Sequence, residues 1–478
     1  MRPWLGLEIG TVALLVLIPV AVPSYVVPAP SAPWVGQGPS LPSPFGPSST
    51  HLQHVITVVM ENRDYDNYFG TYCLELGPYC SSTGNGIPNG TCVPDLPADP
   101  LSPCITPFNF TASNMNITPD LNHDWVSGRI AWNNGAMNGF YNAENRGAVP
   151  FGHYNGSTIP IYWDMAEQYA IGDEMFAANL SYSLPNHWYL VAGQAPNISQ
   201  TSKLHDTSDR LTYLAEADNT STVQDVLNGT SVSWKYYDYN LSSRATAIAT
   251  VHYTGPDSAY DYWNPMASRN ESYTSTYASH FATRASFLTD LANGTLPNIS
   301  WVIPLANASD HPDYNETPGQ SWVAQLVDAV ESSQYWKSTA IFVVWDDYGG
   351  WYDHVAPPRV MTKLLSFRSP FLVISPYARE NYIGHQFVDF FSLLHFVEWQ
   401  FGLGCVTALD CTAPEPFSFF DFNQTARGPI LFPTSWLSAH YPMPLQVWSP
   451  VLCTGCYQVN PELWEESGPP TGNISLDT

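Results

Sequence analysis

The sequence predicts an α/β layered sandwich with a mostly parallel central sheet. Apolar runs at 54–60, 340–345 and 371–376 predict buried strands, because runs that are apolar on both faces are typical of parallel sheets. Segments with helical apolar spacing lie between and beyond them, most clearly at 320–333 and 389–401. Strands that alternate with helices favour the layered α/β class.

The domain organisation follows from composition along the 478 residues. We expect one domain over residues 51–435, long enough for a large core. Residues 33–50 are rich in Pro and Ser and predict a linker. Residues 195–290 contain five sequons, many Ser, Thr, Asn and Tyr residues and little periodicity, which predicts a loop-rich cap or insertion. Residues 436–478 are expected to form a disulfide-bearing C-terminal extension.

The N-terminal residues 1–32 predict a signal peptide or a membrane anchor. One Arg precedes an apolar run over residues 9–22, which suits the core of a signal peptide better than a membrane span. No clear small-x-small cleavage site follows the run, so the anchor remains an alternative. The sequence therefore predicts a secreted or cell-surface protein, with membrane association through the N-terminus left open.

The charge balance excludes one class of partner and suggests an environment. The chain has 42 acidic and 16 basic residues and a formal net charge of −26. Nucleic acid is excluded as an expected partner, because the basic surface that it requires is missing. Sixteen Asn-x-Ser/Thr sequons, Asn89 and Asn155 among them, predict N-glycans on an exported surface. Such a charge-poor exterior suits an acidic medium, so we expect an acidic activity optimum.

The eight cysteines form two groups of four. They are Cys73, Cys80, Cys92 and Cys104, then Cys405, Cys411, Cys453 and Cys456. An even number of cysteines in an exported chain favours disulfides within each group. A zinc site that uses the last two cysteines, which are spaced Cys-x-x-Cys, is the alternative.

Oxygen-bearing side chains follow two of the predicted strands directly. Glu61 and Asn62 come after the first strand, and Asp346 and Asp347 come after the strand at 340–345. The carboxyl ends of parallel strands meet at one edge of a sheet, where α/β folds bind their ligands. A buried pair of carboxylates is costly without a cation. The pattern therefore predicts a site for a hard cation with oxygen ligands.

Ser183 is the candidate nucleophile. It lies in a loop two residues before Pro185, which can start a helix, so its hydroxyl is expected near a helix N-terminus. Such a position attracts anions. Taken alone, a serine in this setting would be interpreted as a turn residue.

Together these motifs resemble the phosphoesterase family that contains phosphatidylcholine-type phospholipases C and a secreted acid phosphatase. That family looks like a branch of the alkaline-phosphatase-like fold. The first motif is M-E-N-R-D-Y-D-N-Y-F-G at 60–70, the second is S-L-P-N at 183–186, and the third is D-D-Y-G-G-W-Y-D-H-V-A-P-P at 346–358. S-P-Y-A at 375–378 and H-x-x-x-D at 385–389 complete a match that runs in order from about 54 to 405.

The resemblance implies a metal-dependent hydrolase of phosphoric esters, acting on a phosphate ester or a phospholipid. One divalent ion (Ca, Mg, Mn or Zn) would be bound by Glu61, Asn62, Ser183, Asp346 and Asp347, and Ser183 would also be the nucleophile. The resemblance further implies phosphate-binding or acid roles for four histidines, His123, His311, His354 and His385. Asn186 is expected to contact substrate.

The sequence departs from the family pattern in two places. Asp346-Asp347 stands where many phospholipases C have Asp-Glu, and His187 stands where many have Arg. We expect His187 to titrate near its usual pKa of about 6.5 and to be charged in an acidic medium.

Two alternative functions compete with the hydrolase. The sequons would also fit a glycosylated surface protein built on an inactive phosphoesterase fold, although the motif residues are intact. A sulfatase is disfavoured because no Arg follows Pro185-Asn186.

Overall fold

The computed structural model describes residues 50–432, apart from 82, 98, 100, 111–117, 145–146, 198–206, 240–262 and 313. The predicted signal segment, nearly all of the linker and the C-terminal extension with Cys453 and Cys456 lie outside the described residues.

The described residues form a layered α/β domain around an eight-stranded sheet. In chain order its strands are β1 His54–Met60, β2 Ala170–Gly172, β3 Trp234–Asp238, β4 Phe281–Thr283, β5 Ile299–Val302, β6 Thr339–Trp345, β7 Phe371–Ile374 and β8 Tyr382–Gly384. In space they follow the order β8-β2-β7-β6-β1-β5-β3-β4. Only β7 runs antiparallel to its two neighbours, β6 and β2. The predicted mostly parallel sheet is confirmed.

The centre of the sheet is the pair β1 and β6. Both strands are buried along their whole length, as their continuous apolar sequences require. They pair in parallel from His54 opposite Thr339 to Met60 opposite Trp345. Because the two strands end at the same level, the residues that follow them leave the sheet side by side. The backbone N–H of Asp346 continues the pairing and donates to the carbonyl of Met60 at 2.9 Å.

The helices complete the layers. They are α1 Tyr65–Phe69, α2 Tyr72–Leu76, α3 Trp125–Trp132, α4 Phe140–Glu144, α5 Pro160–Gln168, α6 Ser183–Ala192, α7 Thr207–Asp218, α8 Val223–Leu227, α9 Arg284–Asn293, α10 Glu316–Glu331 and α11 Phe390–Phe401. Helix α6 packs on α11, and α10 packs on α5 and α9. Two-residue strands also pair outside the main sheet, among them Arg359–Val360 with Lys363–Leu364.

Side-chain caps explain where the two most clearly predicted helices begin. Helix α10 starts before the predicted 320–333 because the side chain of Asn315 accepts a hydrogen bond from the N–H of Thr317. Helix α11 starts where it was predicted, with Asp389 as a cap that accepts from the N–H of Ser392. Such caps satisfy N–H groups that lack partners within the helix.

The region 195–290 is more regular than its sequence indicated. Its described part supplies β3 and β4, two strands at one edge of the central sheet, and helices α7 and α8. Strand β3 reads Trp-Lys-Tyr-Tyr-Asp and is mostly buried. Its apolar character comes from aromatic rings rather than from a run of aliphatic residues, so the pattern was hard to recognise as a core strand.

Three disulfides join Cys73 to Cys80, Cys92 to Cys104 and Cys405 to Cys411. Each pairs neighbours within one of the two groups, as expected. Among the sequon asparagines that the structure describes, only Asn179 is buried, and its Oδ1 accepts from Lys363 at 2.8 Å. No helix in the described part of the chain is long and apolar enough to cross a membrane.

Candidate active site

The carboxyl ends of β1 and β6 bring four predicted ligand residues together. Glu61, Asn62, Asp346 and Asp347 all have no solvent-exposed surface. The backbone N–H of Asn62 donates to Asp346 Oδ1 at 2.9 Å, which joins the two strand ends directly. The backbone of Asn62 adopts a left-handed conformation with φ of 58°, a conformation that Asn tolerates better than most residues.

A glycine turn makes this close approach feasible. Gly349 has a φ of 61°, and a Cβ atom there would lie 2.1 Å from the backbone oxygen of Asn62. Only a residue without a side chain fits. The N–H of Gly349 also donates to Asp347 Oδ1 at 2.8 Å, so the turn orients one of the carboxylates.

Ser183 faces this group from the start of helix α6. It is the first residue of the helix, where unpaired N–H groups create a positive potential. Its hydroxyl donates to Glu61 Oε2 at 3.0 Å, and Oγ lies 3.3 Å from Asn62 Oδ1 and 3.5 Å from Asp347 Oδ2. The predicted position of Ser183 at a helix N-terminus is thus observed, and its hydroxyl lies close to side chains that follow both strands.

His187 also belongs to this group, although sequence reasoning did not include it among the site residues. Its Nε2 lies 2.8 Å from Glu61 Oε1 and 3.8 Å from Asp346 Oδ2. It follows Ser183 by four residues on α6, and that spacing puts both side chains on one face of a helix. The spacing could therefore have identified it. Burial lowers the pKa of His187 to about 4, despite the opposing effect of Asp346, so the expected titration near pH 6.5 is wrong.

His123 contacts the same group. Its Nδ1 lies 2.7 Å from the carbonyl oxygen of Leu121. Because a carbonyl only accepts, Nδ1 carries the proton in the neutral ring, and Nε2 is left to face Asn62 Nδ2 at 3.4 Å and Asp347 Oδ2 at 3.7 Å. Burial lowers the pKa of His123, which favours this neutral form.

His311 borders the group from the loop after β5. Two residues before it, the carbonyl oxygen of Ser309 accepts from the backbone N–H of Glu61 at 2.8 Å. His311 Nδ1 lies 2.6 Å from the carbonyl oxygen of Pro312, so this ring also directs Nε2 away from its own backbone. His311 adds to the lowering of the pKa of His123, after burial.

The other two predicted histidines lie in a second polar cluster. His354 Nδ1 is 2.6 Å from Asp66 Oδ2, and His385 Nδ1 is 2.8 Å from Asp173 Oδ2. No contact that the structure describes joins either ring to Ser183 or to the carboxylates around it. Arg368 is the centre of this cluster, since it pairs with both Asp66 and Asp353 at 2.8 Å. Catalytic roles for His354 and His385 therefore stay predictions without a supporting contact.

The side chain of Asn186 is hydrogen-bonded within the protein rather than open to a substrate. It is fully buried, and its Oδ1 accepts from the N–H of Asn179 at 2.8 Å. Its Nδ2 donates to carbonyl oxygens of the segment before Ser183, at Asn179, Ser181 and Tyr182. These bonds shape the loop that positions Ser183, and they leave Asn186 poorly placed for the substrate contact that was expected.

The buried carboxyl groups of the site favour the binding of a cation. Burial, followed by repulsion from Asp346, raises the pKa of Glu61 and of Asp347 well above the usual range of a carboxyl group. Asp346 Oδ2 is buried without a hydrogen-bond partner. No Lys or Arg of the described chain forms an ion pair with these three carboxyl groups, and Glu61, His187 and Asp346 offer ligand atoms within 4.8 Å of one another. The residues present fit a hard divalent cation.

Ser183 thus lies at a helix N-terminus beside buried carboxyl groups at one edge of an α/β sheet. The chain belongs to the Phosphoesterase family, whose model matches residues 52–404. The predicted resemblance is confirmed.

Curated relatives agree with this family. The chain is 27% identical to "Non-hemolytic phospholipase C" of Burkholderia pseudomallei, over 73% of this chain and 55% of that protein. It is 26% identical to "Phospholipase C B" of Mycobacterium tuberculosis strain H37Rv, over 79% of this chain and 80% of that protein. The matched part thus spans about half the length of the first relative. These names agree with the predicted enzyme class, a hydrolase of phosphoric ester bonds.

Among solved structures, similarity is found to a protein in the alkaline phosphatase superfamily from Vibrio parahaemolyticus. The identity is 13%, the match covers 74% of this chain and 80% of that one, and the TM-score is 0.33. At this TM-score the likeness carries no argument about function.

Proposed function

We propose that the protein is a metal-dependent hydrolase of phosphoric esters that uses Ser183 as its nucleophile. The observation that carries the proposal is the contact of Ser183 Oγ with Glu61 Oε2 at 3.0 Å, at the N-terminus of a helix. A serine hydroxyl is a weak nucleophile unless a base or a cation activates it. Glu61 lies where a base is needed, and the buried carboxylates beside it could hold a cation.

A divalent cation would be held by Glu61, Asn62, Ser183, Asp346 and Asp347, with His187 as a further candidate ligand. When bound, it would lower the pKa of a coordinated hydroxyl and neutralise charge on a phosphoryl oxygen. Its binding would also remove the repulsion among the three buried carboxylates.

The side chains of this chain have separate tasks in the proposed reaction. Ser183 Oγ attacks phosphorus, and Glu61 Oε2 accepts the hydrogen bond through which the hydroxyl proton can leave. The N-terminus of α6 stabilises negative charge that develops beside Ser183. His123 and His311 each direct Nε2 away from a backbone carbonyl, so either ring could pass a proton to the leaving alkoxide once it has taken one up at Nε2.

The names of the relatives favour a phospholipid over a soluble monoester, and both substrates remain within the proposal. Export is also proposed. It is supported by the signal-like residues 1–32 and by three disulfides, which are typical of oxidising compartments.

The decisive variant is Ser183→Ala. We expect it to lose nearly all turnover of p-nitrophenyl phosphate and of phosphatidylcholine, and to form no acid-stable phosphoprotein when quenched during turnover. Ser332→Ala, at the C-terminal end of α10, is the matched control and should keep both activities. Full turnover by Ser183→Ala would overturn the nucleophile assignment. A metal-loaded wild-type protein that cleaves neither ester would instead support the inactive surface glycoprotein.

A further inference from the structure

We propose that helix α3, together with the hairpin at Arg359–Val360 and Lys363–Leu364, forms a surface that docks onto zwitterionic phospholipid bilayers. This inference rests on the proposed function. It adds that the ester reaches the active site as a phospholipid packed in a bilayer. It adds a contact surface outside the residues that surround Ser183.

The amphipathic pattern of α3 is reversed. Surface helices normally turn polar side chains to water and apolar ones to the core. Here the buried positions are Ser127, Gly128 and Ala131, whereas Trp125, Val126 and Ile130 are 48%, 58% and 43% exposed. Met361, at the turn of the neighbouring hairpin, is 71% exposed. Exposed apolar side chains that cluster in this way mark a contact surface for an apolar partner.

Arginine and tryptophan side chains alternate across the same surface. Arg129 lies over the ring of Trp125 at 5.2 Å and over that of Trp132 at 5.1 Å, and Arg359 lies over Trp132 at 5.9 Å. Tryptophan prefers the boundary between lipid and water, and arginine can hold its charge at that boundary while its stem packs on apolar groups. The guanidinium groups complement the phosphate of a lipid headgroup.

The local charge distinguishes this surface from the rest of the molecule. The whole chain has 42 acidic against 16 basic residues, yet 125–132 and 359–364 contain Arg129 and Arg359 and no acidic residue. The ammonium group of Lys363 turns inward, to Asn179 and Tyr189. Asp124, just before α3, uses its carboxylate to cap the helix by accepting from the N–H of Ser127. The overall negative charge disfavours an anionic bilayer, so the partner with matching chemistry is zwitterionic phosphatidylcholine.

The surface is joined directly to the active site. Helix α3 begins two residues after His123, and a Cβ atom at Gly128 would lie 2.6 Å from Leu180 Cγ, three residues before Ser183. From the hairpin, Lys363 reaches Asn179 and Tyr189 at 2.8 and 2.9 Å. A cavity of ≈ 580 Å³ opens along α3 and is lined by Trp125, Arg129, Ile130, Asn133 and Asn142, among others. The residues 118–154 contain no sequon, so no N-glycan is expected on α3.

Binding is measured with the full chain that carries Ser183→Ala, so that vesicles stay intact. Its partition onto large unilamellar vesicles of phosphatidylcholine is followed by sedimentation. Adding Trp125→Ser and Ile130→Ser should lower the partition about tenfold or more, because two side chains no longer enter the interface. Leu211→Ser, at a leucine on α7 that is 61% exposed, is the matched control and should leave the partition unchanged. Equal binding with and without the α3 substitutions, or an equal loss in the control, would overturn the proposal.

A second variant guards against a folding defect. Arg129→Gln keeps a good helix former and removes one charge, and it should reduce binding to phosphatidylcholine while thermal unfolding stays unchanged. Normal binding by this variant, together with a lower melting temperature of the Trp125→Ser/Ile130→Ser protein, would count against the surface. So would a concentration-dependent dimer that these substitutions abolish, because the surface would then serve a second copy of the chain.

Measurements of turnover test the docking surface separately from the proposed catalytic function. In the active protein, Trp125→Ser/Ile130→Ser should lower the ratio of vesicle turnover to soluble p-nitrophenyl phosphate turnover about tenfold. An equal loss on both substrates would overturn the docking surface, because it would indicate damage to the site. If the Ser183→Ala protein kept its turnover, the chemistry would be wrong, and the vesicle partition would still decide the surface.

Discussion

At the scale of single residues, the site is defined by buried carboxyl groups that no Lys or Arg of the described residues pairs with. We predict that Glu61→Gln and Asp346→Asn each lower the amount of bound divalent metal below one equivalent per chain. Turnover should fall by about 100-fold or more, which is a larger loss than is usual for residues that only orient a metal ligand. Elemental analysis after dialysis measures the metal, and Asp421→Asn serves as a carboxyl-to-amide control. Tight stoichiometric metal in both variants would show that the ligand set is wrong.

The residues that sequence reasoning placed well are those fixed by strand ends. Glu61, Asn62, Asp346 and Asp347 converge because β1 and β6 pair in register. The histidines were harder, because a motif gives their order along the chain but not the loop geometry that separates His354 from His123. The pKa of His187 also escaped prediction, since it depends on burial under tertiary structure rather than on neighbours in sequence.

At the scale of elements, the turn after β6 sets the distance between the two strand ends. We predict that Gly349→Ala destabilises the protein by about 1–3 kcal/mol through left-handed backbone strain and steric overlap with Asn62. Turnover should fall as well, because Asp347 loses its oriented bond to the N–H of residue 349. Gly404→Ala is the control, since a Cβ there meets nothing within 4 Å. Urea unfolding and steady-state kinetics would measure both effects, and wild-type values for Gly349→Ala would refute the role of the turn.

A buried ion cluster joins the first and third motifs. Arg368 is fully buried and pairs with Asp66 and Asp353. We predict that Arg368→Met costs about 3–5 kcal/mol in the free energy of unfolding, because two buried carboxylates lose their cation. Arg379→Met, at an exposed arginine, should cost much less. Similar losses for the two variants would mean that the cluster adds little to stability.

Strands with long apolar runs were easier to predict from the sequence than short ones. Strands β1 and β6 are long and aliphatic and were recognised nearly to their ends, whereas β3 and β4 have five and three residues. Edge strands of that kind are stabilised by aromatic packing, such as that of Trp234 on His280 at 4.2 Å. The order of residues along the chain does not show such contacts between distant aromatic rings.

At the scale of the whole molecule, acidic side chains are found in the interior as well as on the surface. Burial raises the pKa of Asp328 to about 7 and that of Glu331 to about 8, both on α10 and away from the active site. Asp328 Oδ1 accepts from the N–H of Phe432 at 2.8 Å, and Glu331 accepts from Tyr169 and from the N–H of Ile430. The two carboxyls thus hold the end of the described chain against the domain.

The sign of the resulting pH dependence follows from these shifts. Both carboxyls bind protons more tightly in the folded state than in the unfolded state, where carboxyl pKa values are about 4. Their contribution to stability is therefore fully present below about pH 4 and is lost as the pH rises through 7 to 8. Asp328→Asn/Glu331→Gln removes the titration while keeping acceptors for the same N–H groups. The melting temperature of the wild type minus that of this variant should accordingly fall between pH 5 and pH 8.5.

A calorimetric pH series on the wild type, this double variant and Glu380→Gln would measure the difference. The side chain of Glu380 is 70% exposed, so its replacement should shift the melting temperature little at any pH. A difference that rises with pH would contradict the raised pKa values and the acid-adapted interior that they imply. A falling difference, together with an acidic optimum for ester hydrolysis, would connect the buried carboxyls to the acidic environment that the charge-poor, sequon-rich surface suggests.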